Sequence, residues 1–149
     1  MKKTIFHIIL FLVAMMALGG CARNNGDIGY WFGLWHLDSI EVDGTIDDQY
    51  DGKYYFLFQN KVFCVRYVEE AIHDYHEAFA KWEEDADGKT MTIRFVDNRY
   101  YPFFGPNIPN NYLSVETRFN VITLNSTTMV LSYINPDTGI TYTYYLTNV

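Results

Sequence analysis

From residue 34 onward the sequence alternates apolar and polar residues in short runs, and each run stops at turn-forming residues. A period of two is what a strand with one buried face requires; an amphipathic helix needs steps of three and four. Seven such runs read as strands, over 34–42, 54–59, 62–68, 90–96, 116–124, 128–134 and 140–147. Within 90–96, for example, Met91, Ile93 and Phe95 face one way while Thr92 and Arg94 face the other. The spacers have their own chemistry. Asn60-Lys61 is a two-residue connection suited to a tight hairpin, with Asn60 able to take positive φ. Asn125-Ser126-Thr127 and Asn135-Pro136-Asp137-Thr138-Gly139 join the last three runs, where Asn and Gly accept left-handed backbone and Pro presets φ.

Residues 69–85 are ambiguous. Ile72, Tyr75, Phe79 and Trp82 fall at helical spacing, and Glu69 and Glu70 suit a helix start. Glu83, Glu84 and Asp85 carry the wrong sign for its end. A strand over 78–84, returning through Asp85-Ala86-Asp87-Gly88 into Thr90, is the favoured alternative. It supplies an eighth antiparallel neighbour and lets the sheet close without exposed edges. The expected fold is therefore all-β, an eight-stranded antiparallel up-and-down barrel. At this strand number the interior has room for packed side chains or for one small ligand.

Ahead of the strands lies a different kind of segment. Residues 1–20 open with Lys2-Lys3, continue through a mostly apolar run over 5–18, and end on Gly19-Gly20 before Cys21. The run is about fourteen residues, short of the roughly twenty a membrane span requires. Leu18-Gly19-Gly20-Cys21 resembles the lipobox of bacterial lipoproteins, in which the cysteine is acylated and becomes the new N-terminus. That resemblance implies a signal peptide over 1–20, lipidation at Cys21, a tether over 21–29 and a barrel domain over 30–149. Acyl chains would hold the protein to a membrane without spanning it. Ala22 after the cysteine favours the outer membrane, with the domain facing periplasm or cell surface. Cys64 is then the single remaining thiol and is expected to be a buried packing residue.

Charge excludes some partners. The 149-residue chain has a formal charge of −7, and without Lys2 and Lys3 it has 9 − 18 = −9. A nucleic-acid partner is not expected of so acidic a chain. Intrinsic disorder is excluded by 49% hydrophobic and 18% aromatic content. The acids concentrate in 38–51 and 69–87, as solvated loops or, alternatively, as a surface for a basic partner.

Gly33-Leu34-Trp35 matches the Gly-x-Trp of lipocalins at the first strand. With Trp82, Asp87-Gly88-Lys89-Thr90-Met91-Thr92-Ile93 and Thr128-Met129-Val130-Leu131, the layout resembles the lipocalin-like domains of Bacteroidetes-type lipoproteins. The resemblance implies a calycin-like barrel with Trp35 closing one end as a packing residue. The chain departs from lipocalins proper in lacking a Thr-Asp-Tyr motif and a last-strand arginine to cover Trp35.

Candidate sites follow from the aromatics. The 97–112 segment holds three of the four prolines, together with Tyr100, Tyr101, Phe103 and Phe104. Long connections of this kind are often lids or binding surfaces. Inward contacts for a small apolar or aromatic ligand are expected among Tyr54, Phe56, Phe58, Phe63, Tyr67, Phe95, Phe119, Tyr133, Tyr142 and Tyr144. The competing expectation is a filled barrel that acts as a protein- or glycan-interaction module through the 97–112 loop. No metal or cofactor is expected: Glu69, Glu70, His73, His76 and Glu77 form no complete ligand set, and 47–52 and 83–88 read as turns rather than calcium loops. No nucleophile elbow, phosphate-cradling loop or Cys-x-x-Cys is present, so catalysis is not expected.

Overall fold

The computed structural model describes residues 28–69, 71, 74–96 and 113–149. Its strands are β1 (Gly33–Val42), β2 (Thr45–Ile46), β3 (Tyr54–Gln59), β4 (Val62–Glu69), β5 (Asp74–Glu84), β6 (Thr90–Phe95), β7 (Glu116–Leu124), β8 (Thr128–Ile134) and β9 (Thr141–Asn148). Every pairing is antiparallel, each of β3 to β9 pairs with its sequence neighbour, and β1 pairs with both β3 and β9. The ladder thus closes on itself as an eight-stranded barrel. β2 lies outside it, folded back on the end of β1 through Asp43-Gly44. Closure removes the exposed edges that an open sheet of this size would present.

Residues 74–84 settle as strand, and β5 is longer than the 78–84 expected from sequence. Each β5 residue from Asp74 to Lys81 faces a β4 partner, ending with Val62 opposite Lys81. Helical spacing of Tyr75, Phe79 and Trp82 is overridden by pairing on both sides. Trp82 is then buried while Tyr75 and Phe79 point outward, more than half exposed.

Two backbone positions explain why particular residues stand where they do. Asn60 turns the β3–β4 hairpin at φ 50°, which asparagine tolerates better than most side chains. Gly33 sits at φ 146°, and a Cβ there would lie 3.3 Å from the Asn148 Oδ1. The glycine of Gly-x-Trp is thus needed for backbone shape and for the close approach of β9.

The barrel has two unlike ends. Hairpins at 60–61, 85–89 and 125–127 gather at one end, where a single 3-10 turn, Gly29–Trp31, leads into β1. At the other, the mouth, lie the connections from β1 to β3, β4 to β5, β6 to β7 and β8 to β9. Among the described residues no helix is long and apolar enough to cross a membrane.

Candidate functional site

The closed end is sealed by aromatic packing. Trp31 is buried, with its ring 5.2 Å from Phe58 and 5.3 Å from Trp82. Trp35 is fully buried and donates its indole N–H to the Trp31 carbonyl oxygen at 3.1 Å. Trp35 therefore has the packing role expected of it. Trp31, just beyond the 21–29 tether, completes the plug. The run Tyr30-Trp31-Phe32 immediately before Gly33 was the signal for it.

Of the residues expected to contact a ligand, Phe56, Phe58, Phe95, Phe119, Tyr133 and Tyr144 all point into the barrel. They meet one another instead of lining a void. Phe56 and Phe58 each lie 5.1 Å from Phe63, and Phe119 lies 5.4 Å from Tyr144 at 87°. These are the spacings and tilts that aromatic pairs favour. Phe56, Phe63, Phe119 and Tyr144 are 0% exposed, as are Leu37, Met91, Ile93, Met129 and Leu131 beside them. A side chain bordering a water-sized void would retain accessible surface. The interior along this length is filled.

Packing loosens towards the mouth. Tyr54 lies between Tyr50 and Tyr67, at 6.0 and 4.9 Å, and Tyr67 stacks on His76 at 6.4 Å. Tyr67 is half-buried and His76 exposed. Across the mouth Tyr133 stacks on Tyr142, and its hydroxyl shares a 2.6 Å hydrogen bond with Ser114 Oγ. Burial, and then the charge of Asp51 and the neighbouring Tyr67, raise the Tyr54 phenol above its ordinary range. Burial raises Tyr50 likewise, and its hydroxyl donates to the Leu37 carbonyl oxygen at 2.6 Å. Tyr142 is raised by burial and by Tyr133. Tyr50, Tyr54 and Tyr142 thus stand at the mouth as neutral phenols.

The remaining candidates divide plainly. Cys21, Glu70, His73 and the aromatics Tyr100, Tyr101, Phe103 and Phe104 lie outside the described residues. Cys64 is buried on the outer side of β4, between Leu57 and Phe79 in the ladder. His76 reaches Glu69 at 3.3 Å, and Glu77 is held by Arg66 at 2.7 Å. No group of three or more metal-capable side chains occurs among the described residues. Asp47, Asp51 and Asp87 each accept the backbone N–H two residues on, at 3.0, 3.2 and 3.0 Å, which is turn chemistry.

No family model and no curated protein matches the chain. Solved structures do. A lipocalin-like protein from Bacteroides uniformis superposes with TM-score 0.60 at 18% identity, over 81% of this chain and 100% of that one. An uncharacterised protein from Bacteroides eggerthii gives 0.60 at 17%, over 80% and 99%. Bovine odorant binding protein, in complex with a selenium-containing odorant, gives 0.46 at 16%, over 80% and 71%. With a ladder closed by β1 and β9 and with lipocalin-like structural neighbours from Bacteroides, the chain has the lipocalin-like fold.

Proposed function

We propose that this chain is a lipid-anchored, non-catalytic binding module. In this reading Cys21 carries the acyl anchor at the outer membrane. The side-chain-filled barrel serves as a rigid scaffold, and a protein or glycan partner is recognised at its mouth. The observation that supports it is the burial of the inner face below the mouth, where Trp35, Phe56, Phe63, Phe119, Tyr144 and Leu146 are 1% exposed or less. The interior volume that a carrier would give to cargo is taken up by the protein's own rings. The aromatic 97–112 segment is the recognition surface in this proposal. Its flanks, the ends of β6 and β7, both open at the mouth.

A second reading, a small apolar or aromatic ligand held in the barrel, is favoured by the half-buried Tyr67 and the exposed His76. One experiment separates the two. Protein purified from its own host is weighed under native and then denaturing conditions. The filled reading expects the same mass in both, with acyl chains on Cys21. A small molecule lost on denaturation would overturn it in favour of enclosed cargo, and an unmodified Cys21 would overturn the anchor.

A further inference from the structure

The cleft of interest is not at the mouth but at the closed end, where the β3–β4 turn meets β5 and β6. Its volume is about 500 Å³, and its wall includes Ile28, Asn60, Lys61, Lys81, Trp82 and Arg94. That volume is within the range of small-molecule sites, about 300–1,000 Å³. The strand register assembles it. Lys81 lies opposite Val62 on β4 and opposite Arg94 on β6, and the Trp82 backbone N–H donates to the Lys61 carbonyl oxygen at 3.3 Å.

The charge arrangement is unusual for so acidic a chain. Three of the seven lysines and arginines among the described residues line this one cleft. Lys81 and Arg94 are directly opposite in the sheet, a like-charge pairing that costs stability. Arg94 is neutralised by Glu83 at 2.5 Å and Glu116 at 3.0 Å. Among the described residues Lys61 and Lys81 have no ion-pair partner. Glu83 and Glu84 also line the cleft: Glu83 is taken up by Arg94, and the Glu84 carboxylate is turned to the hairpin, 3.5 Å from where a Cβ on Gly88 would sit.

Trp82 is the aromatic part of the cleft wall. It is 7% exposed, and its Nε1 donor is buried with no hydrogen-bond partner. The Trp35 indole in the adjoining plug has its acceptor in the Trp31 carbonyl.

The geometry points to a closed-end binding site for a small molecule that has an anionic head on an apolar, planar body. The head is held by the Lys61 and Lys81 ammonium groups. The body lies against Trp82 and Ile28. This goes beyond the proposed recognition at the mouth and does not depend on it.

The test uses 8-anilinonaphthalene-1-sulfonate, a sulfonate on a planar aromatic body, with inorganic phosphate as the head-only control. Binding is followed by fluorescence, and the indole N–H signals by NMR. Saturable one-site binding is expected, with movement of the Trp82 signal and at least about tenfold weaker affinity in the Lys61→Ala/Lys81→Ala variant. Both lysines are exposed, so that variant keeps the fold. Phosphate alone should bind far more weakly than the dye. Absence of binding overturns the proposal. So does binding that neither moves the Trp82 signal nor responds to loss of the two lysines, which places the dye elsewhere. The native-mass comparison for the mouth is unaffected by either result.

Discussion

The Trp35 indole N–H and the Trp31 carbonyl oxygen are 3.1 Å apart, both residues nearly devoid of solvent contact. This bond ties the 3-10 turn to the first barrel strand and holds the Trp31 ring over the closed end. Trp35→Phe keeps an aromatic body but leaves the carbonyl without its donor. It should cost about 1–3 kcal/mol for the stranded acceptor, with more for lost volume. Trp31→Ala should cost about 3–5 kcal/mol by removing the plug. Urea unfolding midpoints followed by far-UV circular dichroism measure both. A Trp35→Phe midpoint equal to that of the parent protein would refute the role given to this bond.

Ser114 and Tyr133 form the corresponding tie at the mouth, at 2.6 Å between hydroxyls. Ser114 lies just before β7, and its backbone N–H donates to Thr117 Oγ1 at 2.9 Å. Tyr133→Phe and Ser114→Ala should each cost about 0.5–1.5 kcal/mol. The double variant should cost less than the sum of the two, because either substitution alone breaks the same bond. Strict additivity in a double-mutant cycle would show that the two hydroxyls do not interact.

The sequence made the barrel legible because most strands carry their inward residues at every second position. Tyr142, Tyr144 and Leu146 on β9, and Met91, Ile93 and Phe95 on β6, are all buried as alternation predicts. β7 has a bulge at Ile122, and β1 is the clearer exception. Trp35, Leu37 and Ile40 are all fully buried, and the step of three between the last two comes from a bulge at Asp38 in the pairing with β9. No periodicity in one strand reveals a bulge, since its cause lies in the partner. Hollow and filled interiors were equally out of reach. Both require the same inward aromatics, and only the volumes of facing side chains such as Phe56, Phe63 and Tyr144 decide between them. The closed-end cleft was invisible for a similar reason, because Lys61 on the β3–β4 turn, Lys81 on β5 and Arg94 on β6 meet only through register.

Acid should act on the β5–β6 hairpin. The Asp85 carboxylate accepts from the Thr90 hydroxyl and from Arg118 Nη2, which holds its pKa below the ordinary value, the hydroxyl bond being the larger cause. A carboxyl with a depressed folded-state pKa contributes stability above its unfolded value, and loses it as pH falls through the folded one. Asp85→Asn should therefore lower the urea midpoint at neutral pH, and the gap from the parent should narrow as the carboxylate is protonated in acid. A gap that persists undiminished in acid would mean that the hairpin depends on the shape of Asp85 and not on its charge.

Cys64 should be chemically silent while the barrel is folded. Its thiol is buried, and its pKa is pushed up to about 12, first by burial and then by the negative charge of Glu77. At pH 8 that leaves roughly one thiolate in ten thousand, against about a tenth or more in an unfolded chain. Iodoacetamide at pH 8 should thus leave the native protein unmodified over the time in which the urea-unfolded protein reacts fully. The raised value also sets a sign: its contribution to stability is present below the unfolded thiol pKa and is lost as pH rises through the folded one. Cys64→Ala, with no proton to lose, should show less of the alkaline decline. Rapid alkylation of the folded protein would contradict the buried position on β4 and, with it, the packing of Cys64 against Leu57 and Phe79.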